Sequence, residues 1–145
     1  MAEGRVIHWR HGVIERHPSR AGIQAEIPKP MAGNLVEIYP DASPDFFGWI
    51  IPSGEGRARI GLAGREQVFS RFSRFIEEHG GGSCCHFVTG TIPLGVMPRT
   101  YGHQTLFVGD AAGFPKPTSG GGVYTGVRSA YHAAETAYEA CSTGV

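Results

Sequence analysis

Apolar and polar positions alternate with period two in GNLVEIY (33–39) and RARIGLA (57–63), and between them DFFGWII (45–51) is a nearly unbroken apolar run of strand length. The separators PDASP and PSGEG are turn chemistry. They are too short for the crossover that a parallel pair needs, so the three strands are predicted as an antiparallel meander. Upstream, IQAEI alternates after the turn HPSRAG and stops at Pro28 and Pro30, which predicts one further short strand. In REQVFSRFSRFIEEHGGG the residues Val68, Phe69, Phe72, Phe75 and Ile76 share one helical stripe, with Arg71, Arg74, Glu77 and Glu78 mostly off it. This predicts a helix over about 66–79 ended by Gly80, Gly81 and Gly82. TLFV (105–108) reads as a short buried strand. From Gly122 to about Ala140, the positions Val123, Val127, Ala130, Ala134, Ala137 and Cys141 recur at helical spacing. Their face is small as well as apolar, so another backbone or a flat ligand could approach it closely. The order of strands, helix, strand, glycine loop and helix predicts an α+β fold.

Composition narrows the partners. The chain has 145 residues, of one-domain size. Lys plus Arg and Asp plus Glu number 13 each, so no net charge draws it to nucleic acid. No apolar run is long enough to span a membrane and MAEGRVIHWRHG lacks a signal-peptide core. The expected location is cytoplasmic, with peripheral membrane contact open. Three cysteines, Cys84, Cys85 and Cys141, cannot all pair, and a vicinal bridge is strained, so free thiols are expected. Adjacent cysteines rarely reach one ion, so CCH (84–86) with His79 and His103 is not read as a metal site. His8, His11 and His17 alternate with Arg5, Arg10, Arg16 and Arg20 and read as solvated surface.

The densest signal is GDAAGFPKPTSGGGVYTG (109–126), directly after TLFV. A strand, a glycine loop and a helix N-terminus together can hold an anionic or strongly polar group, because the first helical amides are unpaired and glycines let a ligand reach the main chain. Asp110 can accept hydrogen bonds from hydroxyls as an acidic residue does from a ribose. The segment carries neither the phosphate-loop spacing nor a G-x-G-x-x-G fingerprint, and TSGGG is not a nucleophile elbow. Glycines that merely make turns account for it equally well.

Two segments give the chain a family resemblance. GDAAGFPKPTSGGGVYTG, continued by SAYHAAE, closely resembles the late flavin-binding motif of FAD-dependent oxidoreductases of the geranylgeranyl reductase type, within the wider group that includes the aromatic hydroxylases. The resemblance implies cofactor contacts from Gly109, Asp110, Ala111, Ala112 and Gly113, and from Pro117, Thr118, Gly120, Gly121 and Gly122. It assigns Asp110 to the ribityl chain and the following helix N-terminus to the isoalloxazine ring. FFGWIIPSGEG is similar to the Tyr-x-Trp-x-Phe-Pro signature near the family's isoprenoid pocket, with Phe47 for the tyrosine, Ile51 for the phenylalanine, and Trp49 and Pro52 matching. These four are the substrate-binding candidates. Phe47 has no hydroxyl, so no proton donor follows from it, and the sequence singles out no catalytic residue. As plain strand residues, Phe46, Phe47 and Trp49 would simply fill a core.

The resemblance implies an antiparallel substrate-domain sheet with one helix over 1–104 and the FAD-binding strand, loop and helix over 105–145. The N-terminal dinucleotide-binding unit of the family has no counterpart in the first thirty residues. The expectation is therefore a fragment of an enzyme that reduces isoprenoid double bonds by hydride transfer from FAD. Alone it would be inactive and would bind FAD weakly or not at all, with that N-terminal region and an isoprenoid-bearing molecule or lipid as its partners. A flavin-dependent monooxygenase or halogenase fragment, which FGWIIP also approaches, and a non-catalytic module for an apolar ligand or a protein remain alternatives.

Overall fold

The computed structural model describes residues 6–10, 13–80, 87–102 and 104–144, with side chains from Pro18 onward. Its strands are β1 (Val6–Arg10), β2 (Val13–His17), β3 (Ser19–Pro28), β4 (Glu37–Tyr39), β5 (Gly48–Gly54), β6 (Arg57–Gly64), β7 (Phe87–Pro93), β8 (Tyr101–Gly102) and β9 (Thr105–Leu106). Helix α1 (Val68–Glu78) lies between β6 and β7, and α2 (Val123–Thr143) ends the order. The chain divides into two compact units, one built on Arg20–Thr91 and the other on Arg5–Ser19 with Ile92–Val145.

The first unit is a five-stranded sheet in the order β4-β5-β6-β3-β7. The meander β4-β5-β6 is antiparallel, as the turn lengths require. Strand β3 then joins β6 antiparallel, Ile23 opposite Leu62 and Ile27 opposite Ala58. It is twice the length of IQAEI and carries Pro28 at its end, where a missing N–H costs least. One face of the sheet is dry. Ile23, Ala25 and Ile27 of β3, Ile50 of β5 and Ala58, Ile60 and Leu62 of β6 pack against Val68, Phe72 and Phe75 of α1. Burying a side chain such as Phe72 contributes about 1.5–3 kcal/mol. Gly48 makes room for the helix, since a Cβ there would lie 2.9 Å from Phe75 Cζ. Gln67, held at φ 54°, precedes the helix, and His79 caps its end just before Gly80 at φ 81°. Gly81 and Gly82 lie outside the described residues, as do His11, Cys84, Cys85, His86 and His103. Phe69, placed on the helix stripe by spacing, is instead exposed with its ring against Phe87 of β7. It sits at the edge of the stripe, toward the edge strand β7.

The second unit contains the hairpins β1-β2 and β8-β9 and the helix α2. Neither β1-β2 nor β7 was expected from periodicity. TLFV is not a buried strand: only Thr105 and Leu106 are in strand conformation, and both are exposed. Among the described residues this strand has a partner on one side only, β8. Helix α2 runs three residues past the expected end, and no residue of it is buried. The predicted small face from Val123 to Cys141 is exposed, whereas Thr125, Gly126, Ser129, Ala133 and Ala140 are half-buried. The reason is local. Helix α2 docks on the turn Gly109–Ala112, with Gly109 and Gly126 facing each other, so that a Cβ on either would be in van der Waals contact, 3.8 Å, with the Cα of the other. That backbone approach turns the glycine side inward. Among the described residues no helix is long and apolar enough to cross a membrane.

Candidate functional site

The candidate residues fall into two groups, one in each unit. In the second unit, Gly109-Asp110-Ala111-Ala112 is a single tight helical turn after the extended Val108. Gly109 (φ 56°) and Gly113 (φ 75°) bracket it in the left-handed region, where side chains are disfavoured. The turn is closed by Gly113 N–H to Asp110 O at 3.0 Å and Phe114 N–H to Gly109 O at 3.1 Å. Ala112 is fully buried and its carbonyl accepts from Met97 N–H at 3.0 Å. Gly113 has no room for a side chain, because a Cβ would fall 1.9 Å from Gly95 O. Ser129 of α2 ties the turn to the helix, accepting from Gly109 N–H at 3.1 Å and donating to Gly126 O at 2.8 Å.

Pro117, Thr118 and Gly121 are exposed, and the loop between the turn and α2 is held by its own main chain, with Gly120 N–H on Lys116 O at 2.8 Å. Gly122 caps α2 with no side-chain hydrogen bond, so the first amides of the helix keep their donors. Asp110 is exposed, and a Cβ on Gly122 would stand 3.0 Å from its Oδ1. An acceptor carboxylate thus lies beside uncapped helical amides, with glycine where a side chain would crowd it. This set fits a group that presents hydroxyls to a carboxylate and negative charge to a helix N-terminus, the chemistry of a flavin nucleotide. The ten candidate residues within 109–122 fall into three settings: the turn, the loop and the helix cap. Ser129, the first residue of SAYHAAE, and Gly95, which no motif marks, support the turn.

In the first unit, the second face of the sheet is open and aromatic. Phe46 and Phe47 stack at 4.6 Å with a 12° interplanar angle, and Phe47 meets Trp49 edge-on at 6.0 Å and 68°. A cross-strand row runs Ile38, Trp49, Gly61, Gln24, each opposite the next. The indole lies over Gly61, where a Cβ would be 2.5 Å from Cε2 and Cζ2, and Nε1–H donates to Gln24 Oε1 at 3.0 Å. Phe47, Trp49 and Ile51 share this face by strand alternation. Pro52 is opposite the core residue Ala58, on the other face, just before an irregularity in the β5-β6 ladder. At one end of the open face Arg57 pairs with Glu26, and Arg59 Nε lies 3.8 Å from Glu26 Oε2. Gln24 and Gly61 are invisible to motif reading because only the register between distant strands joins them to Trp49.

No family model matches the chain. It is 35% identical over 125 residues to digeranylgeranylglycerophospholipid reductase 2 of Methanothermobacter thermautotrophicus, covering 75% of this chain and 32% of that protein. A solved geranylgeranyl bacteriochlorophyll reductase-like protein of Thermoplasma acidophilum superposes with a TM-score of 0.74 at 25% identity, over 91% of this chain and 36% of that one. The flavin-dependent halogenase CmlS has the same fold over 90% of this chain and 27% of its own, with a TM-score of 0.61 at 16% identity. The chain spans about a third of the length of these proteins. Sequence and fold agree with the family resemblance, and over that third this chain is a homologue of proteins of the geranylgeranyl reductase type.

Proposed function

We propose that this chain carries flavin-binding and prenyl-binding elements of a reductase that saturates isoprenoid carbon–carbon double bonds. The observation that carries the reading is the exposed Asp110 carboxylate next to the uncapped N-terminus of α2, with Gly122 as the residue between them. In a complete enzyme FAD supplies the hydride. Asp110 accepts hydrogen bonds from the hydroxyls of the cofactor's sugar-alcohol chain, and the amides at Gly122 and Val123 stabilise negative charge on its ring. The aromatic face of the first unit keeps water from an apolar chain, with Phe47, Trp49 and Ile51 as its contact residues. Phe47 has no proton to give, so the proton comes from another group.

A dinucleotide-binding β-α-β region completes the cofactor site as a partner of this chain, which alone holds FAD weakly or not at all. The natural substrate is an isoprenoid-bearing lipid or small molecule. A chimera tests the assignment: this chain replaces the matching 125-residue stretch of the Methanothermobacter reductase, and FAD retention is measured. The chimera should purify yellow, and Asp110→Ala should weaken FAD binding at least tenfold, as loss of hydrogen bonds to a charged acceptor implies at about 1.5–3 kcal/mol. A folded but colourless chimera, or Asp110→Ala with unchanged affinity, refutes the reading. Submicromolar binding by the isolated chain, followed by flavin quenching, refutes the need for the partner region.

A further inference from the structure

The indole of Trp49 leaves β5 and lies over Gly61 of β6, where its Nε1–H meets the side chain of Gln24 coming from β3, so the two side chains together bridge two strand spacings, about 10 Å of sheet. Such a course needs an intervening strand that presents no Cβ, and an acceptor beyond it fixes the orientation of the ring. Gly61 meets the first condition and Gln24 the second. Both side chains, Trp49 and Gln24, are half-buried, so neither is held by the dry core on the opposite face. The consequence is a defined shape. Trp49 forms a flat floor, and the stacked pair Phe46 and Phe47 stands beside it at 68°. Floor and wall are in edge contact and make an apolar corner, whose floor stands as far from the sheet as the indole stands from Gly61.

We propose that Gln24 and Gly61 are positioning residues that lay Trp49 flat and thereby shape the apolar corner on this face, along which a thin unsaturated hydrocarbon chain lies. This rests on the prenyl-binding role assigned above to the face. A side chain at position 61 lifts the ring off the strand, and loss of the acceptor at position 24 frees the ring to rotate.

The chain has two tryptophans, so Trp9→Phe leaves Trp49 as the sole reporter. In that background, indole anisotropy and the affinity for geranylgeraniol in detergent solution are measured for Gln24→Leu, Gln24→Glu and Gly61→Ala. Gln24→Leu should lower the anisotropy and weaken geranylgeraniol binding about three- to tenfold, as loss of one hydrogen bond implies, with the thermal midpoint unchanged. Gln24→Glu keeps an acceptor oxygen and should restore both values. Gly61→Ala should shift the emission to the red. If Gly61→Ala does not fold, the Gln24 pair decides. Unchanged anisotropy and affinity in Gln24→Leu overturn the proposal. Failure of the parent chain to bind geranylgeraniol refutes instead the prenyl reading of the face, and a fall in anisotropy in Gln24→Leu but not Gln24→Glu then upholds the positioning by itself.

Discussion

Gly113→Ala probes how tightly the GDAAG turn is built. At φ 75° an alanine occupies the left-handed region, which costs about 1–2 kcal/mol. The larger penalty is steric. The new Cβ would lie 1.9 Å from Gly95 O, 2.9 Å from Gly95 C and 3.3 Å from Val96 Cα, all backbone atoms with no rotamer to escape into. Reaching the roughly 3.3 Å that a carbon and a carbonyl oxygen tolerate needs a main-chain shift of more than 1 Å. Overpacking of that kind adds about 1–3 kcal/mol, and it pulls on the 3.0 Å hydrogen bond from Met97 N–H to Ala112 O. The expected loss is about 2–5 kcal/mol. Gly56→Ala supplies the reference, because Gly56 has φ 73° and no atom within 4 Å of the added carbon, so it carries the conformational cost alone. Urea unfolding of both variants, with amide exchange at Met97, separates the two contributions. If Gly113→Ala is no more destabilising than Gly56→Ala, the close contact with Gly95 does not exist and the argument fails.

Two further outcomes follow from the first unit. The Tyr39 hydroxyl is pushed up to about 12 by burial first, then by its 2.7 Å hydrogen bond to Glu37 and that carboxylate's charge. Because its folded value lies above the ordinary 10.0, the associated stability is fully present below pH 10 and is lost as the pH rises through about 12. The phenolate absorbance difference between parent and Tyr39→Phe should have its midpoint near 12, and a midpoint near 10 would show that the environment of Tyr39 is misjudged. Gln67 precedes α1 at φ 54° with no side-chain cap. Gln67→Gly should therefore raise stability by about 0.5–1 kcal/mol in urea unfolding, and a less stable glycine variant would contradict the left-handed backbone at that position.

What could be read directly from the sequence is what depends on neighbours along the chain. Period-two runs with turn residues between them specified the β4-β5-β6 meander, the 3.6-residue recurrence of Val68, Phe72 and Phe75 specified α1, and the glycine spacing marked the turn and helix around Asp110. Strand β7 was missed because FVTGTIP mixes glycine and proline into a short run, and the β1-β2 hairpin because its charged residues masked two apolar pairs. Helix α2 was located, but its packed face was not: hydrophobicity pointed to Val123, Val127 and Ala130, whereas close backbone approach at Gly126 decided the contact. Only the tertiary structure joined Trp49 to Gly61 and Gln24 and separated Pro52 from Phe47, Trp49 and Ile51. Side-chain periodicity is local and survives in the sequence. The register between strands tens of residues apart is set by the whole sheet closing over its core, and no short motif records it.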